Sequence, residues 1–262
     1  MTNPTPEEIR NYWIQNPLCA QIIPFPPGSR EYFTYYDPLR EAIESLEFSY
    51  RLHQYRNFEG KRVLDVGAGN GYVLSKYALE GAEVSGVDVT PTAIDLCRKR
   101  FEYDGLRGDF QLAPAEALPY PDETFDCVCS MGVLHHVSDT EKAVAEIFRV
   151  LKPGGRLIVM FYHRNSAQYQ FKYRIVHLLR GRSMQELVND YDGVGNPRGD
   201  VYSKRELRRL LGAFESLEMS VGNLNPSMML RRVGRFVPRV LLKRLEPLIG
   251  WNLYAKARKP MV

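Results

Sequence analysis

Val63-Leu64-Asp65-Val66-Gly67-Ala68-Gly69-Asn70-Gly71-Tyr72 changes character halfway along. Residues 62–66 read as a buried strand, and Gly67 to Gly71 follow as a turn. Val73 to Glu80 then carries a helical pattern that stops at Gly81, a residue suited to a helix C-terminus. A turn between strand and helix lies where open α/β sheets bind ligands, beyond the carboxyl ends of their strands. Glycine makes such a turn tight and lets a ligand approach the backbone closely. A dinucleotide site wants G-x-G-x-x-G. Here the third glycine arrives one residue early, which weakens a nicotinamide-dinucleotide reading. Asp88, at the end of the next expected strand, is placed to accept hydrogen bonds from a ribose diol. An acid at each strand end beside the glycine turn favours a nucleoside ligand.

The alternation continues outward. Glu83 to Val89 reads as a strand, and Thr90-Pro91 as an N-cap with proline at the first helical position. Short strands are expected over 110–113 and 125–131, then a helix through Leu151 opened by a Ser138–Glu141 capping box. Lys152-Pro153-Gly154-Gly155 should break that helix before a strand over 156–162. Such regularity means a mostly parallel sheet with helices on both faces. Three regions lie outside this core. Residues 1–60 are rich in Tyr, Pro and Phe, with one helical stretch around Arg40 to His53. Residues 163–202 offer a helix over 167–179 and then a polar loop. After a Ser203–Glu206 capping box and its helix, final strands are expected over 215–221 and 251–258, with an amphipathic basic stretch between them.

Composition sets bounds on function. At 262 residues, 44% hydrophobic and 25% charged, the chain suits one α/β domain with insertions and excludes dominant disorder. No uncharged apolar run reaches eighteen residues, and the start lacks the pattern of a secretory signal, so a cytoplasmic protein is expected. The four cysteines make no disulfide scaffold, and the five histidines do not join them at metal-ligand spacing, so no metal is expected. The net charge of +4 is too small to argue for nucleic acid, but it is uneven. Residues 231–259 carry nine basic side chains against the single acid Glu246, a local +8 that leaves −4 for the rest.

Five segments together resemble the class I S-adenosylmethionine-dependent methyltransferases of the small-molecule type: VLDVGAGNGY (63–72), VSGVDVT (84–90), AEALPYPDETFDCV (115–128), SMGVLHHVSD (130–139) and RVLKPGGRLIV (149–159). The resemblance is strong over about residues 60–165. It implies a Rossmann-like, doubly wound, mostly parallel seven-stranded sheet, with residues 1–60 as an aromatic lid and residues 61–262 as the methyltransferase domain. Segments 163–202 and 225–250 would be insertions forming the acceptor side. It also implies S-adenosylmethionine as cofactor. Asp65, Gly67, Ala68 and Gly69 would line its methionine end, Asp88 would hold the ribose and Val89 would pack on adenine. Ala115 and Glu116 would lie at the adenine edge and Ser130 near the sulfonium. Pro114 stands where relatives often carry Asp or Asn, so adenine recognition would fall to neighbouring backbone or to Glu116.

Methyl transfer from a sulfonium is an in-line displacement, and the protein chiefly aligns the partners and excludes water. A hydroxyl or acidic carbon acceptor usually needs a general base. His135, just past the fourth strand, and His163, just past the fifth, are the candidates, with His136 and Tyr162 beside them. The His-His pair also suits packing. Tyr32, Tyr36 and Tyr162 are candidates for substrate contact, and Tyr12 and Trp13 belong to the aromatic lid, which serves equally as packing. Asp192, Asn196 and Arg198 would line the acceptor pocket or form a surface loop. The basic stretch reads as a cap helix with a solvated face, as a membrane-surface helix over 231–249, or, least favoured, as an RNA face. The expected function is methyl transfer to a small-molecule acceptor. A lipid, quinone or RNA acceptor, a catalytically silent cofactor-binding protein and, more remotely, an NAD-dependent oxidoreductase are the alternatives. Oligomeric state is left open.

Overall fold

The computed structural model describes residues 4–17, 22–228 and 236–261. Its strands are β1 (Arg62–Val66), β2 (Glu83–Asp88), β3 (Asp109–Leu112), β4 (Phe125–Met131), β5 (Leu151–His163), β6 (Val201–Tyr202), β7 (Glu215–Gly222) and β8 (Asn252–Arg258). Seven of them form one path in the order β3-β2-β1-β4-β5-β8-β7, and the two-residue β6 pairs with the end of β5. Strands β3, β2, β1, β4 and β5 run parallel, while β8 is antiparallel to both β5 and β7. The strand order reverses between β1 and β4. That reversal opens a crevice at their carboxyl ends, directly beyond Val66 and Met131.

The helices are α1 (Pro6–Gln15), α2 (Arg30–Ile43), α3 (Leu46–His53), α4 (Tyr72–Leu79), α5 (Pro91–Tyr103), α6 (Thr140–Val150), α7 (Arg174–Arg180), α8 (Met184–Asn189), α9 (Lys204–Leu210) and α10 (Arg239–Ile249). Successive side chains of a strand point to opposite faces, and the core divides accordingly. Leu64 and Val128 join Ile147, Leu157, Val159 and Leu207 on the face covered by α6 and α9. Val63, Cys127 and Cys129 join Tyr55, Leu74, Tyr77, Ile94 and Ile158 on the face covered by α2 to α5. A continuous apolar run was therefore needed in the central strands, because both faces are buried.

Local expectations changed where side chains found other partners. The helical stretch around Arg40 to His53 is two helices: Glu44 is extended, and Ser45 caps α3 by accepting from the Phe48 amide. Helix α1, which the sequence patterns did not suggest, starts at a Thr5–Glu8 capping box with Pro6 in its first turn. Asp139, not Ser138, caps α6, since Ser138 donates its hydroxyl to Glu116. Residues 152–155 bulge within the start of β5 rather than lying outside it. The expected 167–179 helix opens with a π-helical turn, Gln168–Tyr173, before α7.

Candidate functional site

The glycine turn follows β1 and enters α4. Gly67, Gly69 and Gly71 all have positive φ (80°, 57° and 77°), so a left-handed path is forced at three alternate residues. The three glycines meet different surroundings. A Cβ on Gly67 would stand 2.3 Å from Val133, whereas a Cβ on Gly69 would meet nothing within 4 Å. Gly67 is thus closed against the loop after β4, and Gly69 faces open space. The Gly69 amide donates to Asp88 Oδ2 at 3.1 Å, and the Thr90 amide donates to Oδ1 at 2.9 Å. The end of β2 is locked to the turn in this way. Burial raises the Asp88 carboxyl above its ordinary range, against these donors.

Asp65 is buried at the end of β1, and its Oδ1 finds no hydrogen-bond partner among the described residues. Burial pushes its pKa up to about 7. Asn70 Nδ2, on the same turn, is also buried and unpaired. Beneath them Arg100 donates Nε to the Asn70 carbonyl at 2.8 Å and holds Asp37 of α2 with both terminal nitrogens, at 3.1 and 2.8 Å. Unpaired buried polar atoms beside an open glycine backbone fit a ligand carrying its own polar groups.

A second cluster lies at the carboxyl ends of β4 and β5, two residues beyond the Val133 that abuts Gly67. The His135 and Tyr162 rings are 3.9 Å apart, and Tyr162 stacks on Trp251 at 4.6 Å. Trp13 of α1 meets His136 edge-on at 5.2 Å. The Tyr162 hydroxyl donates to Asp192, whose Oδ2 is also 3.2 Å from His136 Nε2. His136 Nδ1 lies 2.6 Å from the Arg198 carbonyl, so that nitrogen carries a proton and donates it. Burial, with His136 adding to it, drives the His135 pKa well below the ordinary imidazole range. His135 is neutral, fully buried, and neither ring nitrogen is paired among the described residues.

Other expected site residues sit elsewhere. Ser130 is fully buried and donates to the Val66 carbonyl at 2.8 Å, pinning β4 to β1. Glu116 Oε1 accepts from the Ser138 amide and hydroxyl and the Asp139 amide, holding the turn before α6. Ala115 is buried beside it, Val89 and Ala68 flank Asp88 and Gly69, and Pro114 is exposed. Tyr32 and Tyr36 are buried among Phe33, Tyr72 and Ile94, where they pack α2 on the sheet. Tyr36 meets Tyr72 edge-on at 6.2 Å. His163 is 3.1 Å from the Gly250 carbonyl through Nδ1, burial lowers its pKa, and it shares no ring contact with His135 among the described residues. The structure does not bring the two candidate bases together. Trp251 and Tyr191 carry no signal in the sequence because they join the cluster only through the fold. Arg231, Arg232 and Arg235 of the basic stretch lie outside the described residues, and no His, Cys, Asp or Glu grouping suited to a metal occurs among those described.

Residues 64–159 match a protein family described as a methyltransferase domain. The chain is 38% identical over 110 residues to the ubiquinone/menaquinone biosynthesis C-methyltransferase of Cronobacter sakazakii, covering 40% of this chain and 44% of the relative. It is 42% identical over 102 residues to a demethylmenaquinone methyltransferase of Thermus thermophilus, covering 38% of this chain and 46% of the relative. These matches span about half the length of the curated relatives. Among solved structures, a SAM-dependent methyltransferase from Methanosarcina mazei superimposes with a TM-score of 0.61 at 23% identity, over 81% of this chain and 98% of that one, which shows a shared fold. Residues 64–159 match the methyltransferase-domain family, and the sheet built around them has the fold of that solved S-adenosylmethionine-dependent methyltransferase.

Proposed function

We propose that the chain is an S-adenosylmethionine-dependent methyltransferase acting on a small-molecule acceptor. The observation that carries this is the turn itself: an open, left-handed Gly69 between buried Asp65, with an unpaired oxygen, and Asp88 at the neighbouring strand end. Asp65 and the Gly67–Gly69 backbone would hold the methionine end, and Asp88 the ribose hydroxyls, with Val89 and Ala115 toward the adenine. When bound, the sulfonium supplies an electrophilic methyl group and keeps the electron pair of the broken carbon–sulfur bond. The chain aligns the acceptor, excludes water and receives the acceptor's proton where there is one. His135, buried and neutral just past β4 and two residues beyond the Val133 that abuts Gly67, is the candidate to receive it. The names of the matched relatives support a quinone-type ring among candidate acceptors. The test is a thermal shift with S-adenosylhomocysteine and with NADH. Stabilisation by the first and none by the second is expected, and no shift with S-adenosylhomocysteine overturns the reading.

One further observation favours access from a membrane surface. No described helix is long and apolar enough to cross a bilayer, yet two are apolar on the outside. Leu178 and Leu179 of α7 are each 80% exposed, and Val240 and Leu248 of α10 are 66% and 65% exposed. Arg174, Arg180, Arg239, Lys243 and Arg244 accompany them. Apolar side chains amid cations suit an anionic lipid surface. Co-sedimentation with phosphatidylglycerol vesicles, lost with phosphatidylcholine and with a Leu178→Ser/Leu179→Ser variant, is the expected result. Equal binding to both lipids, or none, rejects it.

A further inference from the structure

A cleft of about 560 Å³ opens at the end of the sheet opposite the glycine turn. Its walls are the turn before β1, the start of β4, the bulge that opens β5 and the end of β8. Strand β1 separates it from the turn, since Lys61 precedes that strand and Gly67 follows it. The bulge and the chain after β8 are joined by their backbones. The Gly154 amide donates to the Lys259 carbonyl and the Lys259 amide to the Gly155 carbonyl, both at 2.9 Å. That side of the cleft is therefore held by main-chain bonds.

Lys61, Asp126, Lys152, Arg156 and Arg258 line it, and only one pair of these charges cancels. Lys152 holds Asp126 at 2.8 Å, and Asp126 also accepts from the Arg62 amide at 3.0 Å. The other three cations bond to neutral oxygens among the described residues. Lys61 donates to the Asn57 carbonyl at 2.9 Å, Arg156 to Gln54 Oε1, and Arg258 to the Gly154 carbonyl at 3.4 Å. Arg156 and Arg258 are, moreover, register partners across the antiparallel β5–β8 pair. Two guanidinium side chains thus leave one face of the sheet side by side, where like charges repel. The acids on β7 do not relieve them. Glu218 is held by Lys256 at 2.8 Å, and Glu215 stands opposite Arg258 in register without forming an ion pair with it.

We propose that this cleft binds a small ligand through a diphosphate group. An anion seated between Arg156 and Arg258 removes their repulsion, and guanidinium forks suit phosphoryl oxygens. Lys61 adds a point charge next to them. It and Arg156 both stand over the Phe58 ring, at 5.7 and 5.6 Å from its centre. Three cations without a carboxylate match the charge of a diphosphate better than that of a single phosphate or carboxylate. Phe58 itself is buried beneath them, so it offers no open face to a nucleobase, and recognition falls to the phosphates. The volume suits a small molecule. Methyl transfer and diphosphate binding stand or fall separately, because the two sites lie at opposite ends of β1.

The probe is inorganic pyrophosphate, titrated by calorimetry, with orthophosphate, ADP and an oligouridylate RNA as comparisons. Saturable one-to-one pyrophosphate binding is expected, at least about tenfold tighter than orthophosphate and within about threefold of ADP. Arg258→Gln and Lys61→Gln change exposed side chains and should leave the circular dichroism spectrum as it is. Each should weaken pyrophosphate about fivefold or more, whereas Arg205→Gln, the same loss of charge on α9, should not. Pyrophosphate should raise the thermal midpoint of the wild type more than that of Arg258→Gln. Absence of saturable binding overturns the site, and so does an affinity indifferent to both cleft variants. An equal loss in Arg205→Gln reduces the effect to net charge and overturns it as well. RNA that binds more tightly and displaces pyrophosphate makes the cleft a nucleic-acid surface and overturns the small ligand. ADP more than about tenfold tighter than pyrophosphate overturns recognition by the phosphates alone.

Discussion

The Tyr162 hydroxyl lies 2.7 and 2.6 Å from the two carboxylate oxygens of Asp192, so one phenol at the end of β5 fastens the 163–202 insertion to the sheet. Burial and the Asp192 charge raise the Tyr162 pKa well above its ordinary value, which keeps the phenol a donor. Asp192→Ala leaves that donor buried and unpaired, and should cost about 1–3 kcal/mol in urea denaturation. Tyr162→Phe removes the donor itself. The double variant should therefore recover part of the loss, with a coupling of about 1 kcal/mol in the cycle. Additive losses would mean that the contact carries no energy.

Under the proposed assignment, Asp65 should make S-adenosylhomocysteine binding pH-dependent. Burial places its folded pKa at about 7, well above the ordinary carboxylate range. The free protein therefore loses stability from this group as pH rises from the unfolded pKa to about 7, and the full cost is present above that. An ammonium group bound beside Asp65 favours the ionised form and reverses the shift. S-adenosylhomocysteine binding at pH 6 should therefore release about one proton, and affinity should rise between pH 6 and 8 and then level off. Calorimetry in buffers of unlike ionisation enthalpy measures the proton. Asp65→Asn should abolish the release, and a wild-type affinity flat over this range would count against the assignment.

Gly67 and Gly69 separate stability from binding. Both have positive φ, but only Gly67 abuts Val133. Gly67→Ala should cost about 1–3 kcal/mol through strain and overpacking, with a lowered thermal midpoint. Gly69→Ala should cost about 1 kcal/mol in stability yet weaken S-adenosylhomocysteine at least about tenfold, because its methyl enters the space the ligand needs. Equal affinity in Gly69→Ala would place the ligand elsewhere.

Arg100 ties the N-terminal helices to the turn. Its guanidinium is 3% exposed, paired with Asp37 and set over the Phe33 ring at 4.5 Å. Asp37→Ala strands a buried cation and should cost about 3 kcal/mol, more than Arg100→Met, which removes the charge and keeps the packing. Urea midpoints of the two variants give the order directly. A reversed order would show that the hydrogen bond to the Asn70 carbonyl matters more than the ion pair.

The central architecture was readable because it is local. Strand and helix periods, the glycine turn and the Thr90-Pro91 start each depend on residues a few positions apart, and the resemblance added the strand count. Misreadings share one cause. Ser138 was expected to cap α6, but Glu116, twenty-two residues away in sequence, takes its hydroxyl and leaves Asp139 to cap the helix. Aromatic composition likewise does not say which way a helix faces, so the burial of Tyr32 and Tyr36 in the core came only from the fold.

By itself the sequence determined that β1 ends in an acid, a left-handed turn and a helix, and that a second acid waits at the end of β2. Backbone geometry and side-chain size settle those features without reference to the rest of the chain. Only the tertiary structure decided the aromatic cluster at the ends of β4 and β5. Tyr12, His135, Tyr162, Asp192 and Trp251 come from five separate stretches, and their meeting depends on strand order and on where the insertion folds back. Burial then fixed their chemistry. His135 is neutral and unpaired because no polar partner from the described chain reaches it.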